Sequence, residues 1–151
     1  MVPIVALTLT LACTAERKAL RAHSVEEGLL TRSAEIYWRA VRWGDAEKAG
    51  NFVQDADDRF ALESWLETLQ DEWRMVDVRI VRVEVGEEET TLEPPRLREG
   101  TIHVRTEGYT LPGQVLKKQT IRQEWYRSYE GWFIDWAESG PLGETDKFRP
   151  N

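Results

Sequence analysis

Few residues in this chain could do chemistry, and their spacing narrows the choice further. There are two histidines and one cysteine in 151 residues. His23 lies ahead of the first capped helix, and His103 falls on a strand face opposite Arg122. Neither belongs to a spaced carboxylate–histidine cluster that would hold a metal. No Gly-rich phosphate loop or nucleophile elbow occurs. The expectation is no metal and no cofactor. Acid–base catalysis could be assembled only from Asp135 with Tyr126 or Tyr109, and only if a strand turned Asp135 inward. Thr106, Gln119 and Gln123 can orient a ligand by hydrogen bonds, but a hydroxyl and two amides cannot shuttle protons near neutral pH. The balance favours binding over catalysis.

The cysteine points to a different chemistry. It is residue 13, in the run LTLTLACTA, and no charged side chain precedes it. Charged sequence begins at once with Glu16, Arg17 and Lys18, which is how the apolar part of an export signal ends. The run is too short to span a bilayer, which takes about 20 apolar residues. Ala12-Cys13 resembles the lipobox of bacterial lipoproteins, whose cysteine is lipidated, freed as the new N-terminus and acylated; Thr10 and Leu11 depart from the residues that family prefers. The resemblance implies that residues 1–12 are a lipoprotein signal peptide and 13–23 a lipidated N-terminus and tether. One acyl chain anchors weakly, at about 0.8 kcal/mol per buried CH₂, and several make the anchor stable. Thr14 stands where an aspartate would imply inner-membrane retention, so the expected location is the bacterial outer membrane, facing the periplasm. The alternative is a buried structural cysteine.

These groups must be positioned by the elements that follow. Ser24-Val25-Glu26-Glu27 has the form of a capping box, and Leu30, Ala34, Tyr37, Trp38 and Val41 then follow a helical stripe. Gly44 supplies a stop and Asp45 a new N-cap; a short helix carries Ala49, Phe52 and Val53 inward. After Asp55, Asp57 and Asp58, a third helix aligns Leu62, Trp65, Leu66, Leu69 and Trp73. The period then changes to two. VDVRIVRVEV alternates in one phase to Ile80 and in the other from Val81, which predicts a bulge between them. Gly86 to Gly100 reads as a loop with an acidic run and a Pro94-Pro95 stop.

Turns set the register of the remaining strands. Pro112-Gly113 places Val104 opposite Ile121 and Glu107 opposite Lys118. Glu130-Gly131, read as a two-residue turn, places Tyr129 opposite Trp132, Arg127 opposite Ile134 and Trp125 opposite Trp136. The inner face then carries Ile102, Val104, Thr106, Gln119, Ile121, Gln123, Trp125, Trp132, Ile134 and Trp136. Asp77, Tyr126, Phe133 and Asp135 fall outside.

Three helices followed by a bent antiparallel meander of about four strands make an α+β domain over 24–138, with 139–151 as a tail. That order, with RAVRWGDAEKAGNFV and EWYRSYEGWFIDW, resembles the NTF2-like (SnoaL-like, cystatin-like cone) superfold. More narrowly, it resembles bacterial NTF2-like lipoproteins of unknown role, which share the RWGD helix end and a cysteine-terminated leader. The resemblance implies a cone whose interior is either packed or open. Seven tryptophans either fill that core or line it. In the open case Tyr37, Trp38, Trp125 and Trp136 surround a small apolar ligand, with Thr106, Gln119 and Gln123 as polar anchors. Tyr126 and Phe133 on the outer face are candidates for an interface, with an envelope protein or a second copy. A net charge of −7 lacks the basic footprint of non-specific nucleic-acid binding. The functional expectation is a lipid-anchored binding or scaffold module. An isomerase- or dehydratase-type enzyme and a structural lipoprotein with a filled core are the alternatives.

Overall fold

The computed structural model describes residues 8–89 and 96–141, with side chains from residue 14 onward. The leader before residue 8, the Cys13 side chain, Pro94-Pro95 and the tail beyond 141 lie outside the described residues. The first helix, α1 (Thr8–Trp43), corrects the expected start at Ser24. Residues 15–22 are Ala, Glu, Arg, Lys and Leu, all strong helix formers, so the backbone stays helical through the expected tether. Ser24 therefore lies inside the helix and caps nothing. Glu27 instead pairs with His23 at 3.3 Å, one turn before it. Burial begins only at Leu30 and continues through Ala34, Tyr37, Trp38 and Val41, the stripe expected to face the core.

Gly44 ends α1 as expected, in a left-handed conformation (φ 69°) that glycine adopts without strain. The Asp45 N–H reaches back to the Ala40 carbonyl and the Gly44 N–H to that of Val41, the paired bonds of a Schellman ending. Asp45 then caps α2 (Ala46–Gly50) by accepting from the Lys48 N–H at 3.1 Å. Asp55 caps α3 (Ala56–Glu72) by accepting from the Asp57 and Asp58 N–H groups. Leu62, Leu66 and Leu69 of α3 are buried, whereas Trp65 is half-buried.

The strands β1 (Trp73–Val85), β2 (Arg98–Thr110), β3 (Leu116–Arg127) and β4 (Trp132–Ile134) form one antiparallel sheet in sequence order. The fold is thus α+β, with helices packed on a four-stranded antiparallel sheet. A register shift between Ile80 and Arg82 leaves Val81 as the bulge the phase slip foretold, and a second shift leaves Val76 unpaired. Both valines are exposed on the edge strand, where bulges also obstruct pairing with another sheet edge.

β2 and β3 pair in the expected register. Val104 faces Ile121, and Glu107 faces Lys118 with a 3.3 Å ion pair. The closing hairpin differs. Trp132 pairs with Arg127, and Ile134 with Trp125, a shift of two residues from the expected pairing. Its connection is the longer segment 128–131, closed by the Ser128 N–H on the Gly131 carbonyl. Because the side-chain period is also two, every residue kept its face. Residues 135 and 136 are the exceptions, since both lie beyond β4: Asp135, expected outside, is buried, and Trp136 opens a short helix, α4 (Trp136–Ser139), half-buried.

The core lies between the helices and the inner face of the sheet. Gly100 and Gly108 lie on that face, and there large side chains replace a Cβ. One added at Gly100 would come within 2.6 Å of Leu30 and 2.8 Å of Trp132, and one at Gly108 within 2.6 Å of Trp73. The outer face is charged, with Arg79–Asp77 and Arg122–Glu124 ion pairs, and His103 Nε2 lies 3.5 Å from a Glu84 carboxylate oxygen.

Candidate functional site

Four of the seven residues expected to line a pocket meet inside the core. Tyr37 and Trp38 arrive from α1, and Gln123 and Trp125 from β3; each is 1% exposed or less. Gln123 organises them. Its Oε1 accepts from Trp38 Nε1 at 3.1 Å and from Trp125 Nε1 at 3.0 Å, while its Nε2 donates to the Pro141 carbonyl at 3.1 Å. Tyr37 donates its hydroxyl to the same carbonyl at 2.7 Å. The rings pack edge to face, with Tyr37 centred 5.6 Å from Trp38 and 5.9 Å from Trp125. Burial pushes the Tyr37 phenol far above its ordinary range, opposed by its hydrogen bond with Gln123, so it stays protonated. This cluster orders a core; it offers no group that titrates near neutral pH.

The other three residues stand apart. Thr106, fully buried on β2, faces the half-buried Gln119 in the β2–β3 register. Thr106 Oγ1 and Gln119 Nε2 are buried without a hydrogen-bond partner among the described residues. Both are buried polar groups that the core leaves without a described partner. Trp136 lies elsewhere, in a cleft with Gln54, Asp58 and Tyr126.

The residues of the enzyme alternative divide. Tyr109 pairs with Leu116 at one end of the sheet and is exposed, whereas Asp135 follows β4, which pairs at the opposite end of β3. Tyr126 does join Asp135, through Arg96. The Arg96 guanidinium hydrogen-bonds Asp135 Oδ2 and lies 4.4 Å from the centre of the Tyr126 ring. Asp135 is buried at 8% exposure, and that hydrogen bond holds the Arg96 pKa above its usual value. Burial raises the Tyr126 phenol; the Arg96 charge opposes, and Asp135 and Asp58 add to the rise. The phenol accordingly remains a donor, to Gln54 Oε1. Clefts of about 380 and 370 Å³ flank the Arg96–Asp135 pair. The first gathers Glu99, Glu124, Glu138 and Ser139 with Arg122.

Sequence reading missed Arg96, Gln54 and Glu26. Glu26 Oε2 accepts from Arg127 Nε and from Trp132 Nε1, both at 3.1 Å, tying α1 to the closing hairpin. No local pattern marks such partners, since the Arg96–Asp135 and Glu26–Trp132 pairs span 39 and 106 positions. The interface candidates Tyr126 and Phe133 are cross-strand neighbours, ring centres 6.0 Å apart, and both are half-buried.

Among the described residues, no group of three or more His, Cys, Asp or Glu side chains could hold a metal ion, and no helix is long and apolar enough to cross a membrane. Compared with known protein families, curated proteins and solved structures, the chain matches none.

Proposed function

We propose that this chain is a lipid-anchored protein of the bacterial envelope whose NTF2-like domain serves as a binding or scaffold module rather than as a catalyst. The observation that carries the choice is the state of Gln123. Its amide is spent on two indoles and a backbone carbonyl, so the interior where a relative of this superfold would catalyse is used for packing. A protein partner docking outside the core fits that better than a ligand among Tyr37, Trp38 and Trp125. A small ligand beside the unpartnered Thr106 Oγ1 and Gln119 Nε2 is the second reading.

The isomerase or dehydratase alternative would have to use Asp135 and Tyr126. A general base must be free to take up a proton, and Asp135 is held by Arg96 while the Tyr126 phenol is raised. That arrangement suits positioning better than proton transfer.

The anchor is tested in the native host by fractionation followed by a high-salt, alkaline wash. The acylated protein should stay with the membranes through the wash, and Cys13→Ser should be extracted by it. Wash-resistant retention of Cys13→Ser, or mass spectra of the native protein without acyl groups, would refute the reading.

A further inference from the structure

The first described turns of α1 stand clear of the core. No described residue before Leu30 is buried, and residues 14–22 are exposed all round. The outward side of the same helix, farther along, is apolar where solvent would favour polar groups. Val25, Leu29, Ile36 and Trp43 are 60%, 42%, 40% and 71% exposed. They recur at intervals of four and seven, so they form one row on one side of the helix. At 100° per residue that row lies roughly 135° around the axis from the row of Leu30, Ala34, Tyr37 and Val41 that packs on the sheet. The domain therefore lies behind the row and does not obstruct what could cover it.

Charge says what covers it. Lys18, Arg21, Arg32 and Arg39 fall within about 55° of that row, all exposed, and none of the acidic side chains of residues 14–43 does. Residues 14–43 hold six basic and four acidic side chains, so a chain of net −7 leaves −9 to everything after Trp43. A basic, apolar-rowed face on an otherwise acidic protein complements an anionic surface with an apolar interior, and exposed Trp43 is the side chain that settles best at such a boundary. Arg42, 5.2 Å from the Trp43 ring centre, places one more cation there.

We infer that the outward face of α1 rests on an anionic lipid bilayer, with the helix lying along the headgroups and the sheet domain held on the side away from the membrane. The acyl chain of the proposed anchor would then fix the protein to the membrane, and α1 would set its orientation. The inference extends the anchored reading but does not need the lipid, so the two can fail separately.

The test uses the full chain carrying Cys13→Ser, which has no acyl group, and sedimentation with phosphatidylcholine vesicles with and without phosphatidylglycerol. Binding should be at least tenfold tighter to the anionic vesicles and should weaken with salt. Arg32→Gln/Arg39→Gln should lower anionic binding about 25-fold, at about fivefold per cation, with an unchanged far-UV spectrum. Leu29→Gln/Ile36→Gln should weaken binding to both vesicle types. Equal binding to both compositions, or variants that bind as the parent does, would overturn the inference. So would a lipid-free dimer that these variants dissociate, because a second copy would then be the occupant.

Discussion

Replacing Gln123 with leucine asks whether the interior is packed or wet. Leucine nearly conserves the volume but supplies no acceptor, so the indole N–H groups of Trp38 and Trp125 lose their shared partner in a site with no solvent exposure. An orphaned buried donor costs about 1–3 kcal/mol. Two of them, less what the added apolar contact returns, predict a loss of about 2–4 kcal/mol. The Pro141 carbonyl keeps its bond from Tyr37 and adds little to the penalty. At about 3–4 °C per kcal/mol for a domain of this size, Tm should fall by about 6–16 °C. Urea titration followed by far-UV circular dichroism measures the free energy directly. Trp38→Phe in the Gln123→Leu background removes one orphan, so the double variant should cost less than the sum of its singles. A Gln123→Leu protein within about 0.5 kcal/mol of the parent would refute the reasoning. The indoles would then be reaching water, and an open pocket would replace the packed interior.

Three further expectations follow from the same structure. Gly28 sits within α1, and a Cβ there would meet nothing within 4 Å; Gly28→Ala should raise unfolding free energy by about 0.5–1 kcal/mol. Arg96→Met leaves Asp135 as a buried charge without its guanidinium and should cost about 2–4 kcal/mol, while adding Asp135→Asn should recover more than half of that loss in the same denaturation assay. The Asp45 pKa is lowered, chiefly by the backbone N–H of Lys48 and then by that side chain. Its folded-state value lies below the unfolded one, so its contribution is complete above the ordinary carboxylate range and disappears as pH falls through the folded value. Asp45→Asn keeps the cap without the titration, and its Tm should therefore decline less than the parent's between about pH 5 and about pH 2.

The sequence by itself determined what local rules can reach. Helix stops and caps depend on groups within a few residues, so Gly44 with Asp45, and Asp55 ahead of α3, were legible. Side-chain alternation places strand residues on faces, so the inner set up to Ile134 and the bulge at Val81 followed from phase alone. Complementary charges and a strong turn put β2 and β3 in register. Only the tertiary structure decided the rest. The capping box at Ser24 was outweighed by helix formers on both sides of it, a competition that residue types rank only weakly. The closing hairpin slipped by two because Ser128 and Gly131 close a longer loop; alternation cannot detect a shift equal to its own period. The partners that define the site have no periodicity at all. Gln123 with Trp38 and Arg96 with Asp135 are 85 and 39 positions apart, and the identity of such a partner depends on which side chains the packed elements bring within about 3 Å of each other.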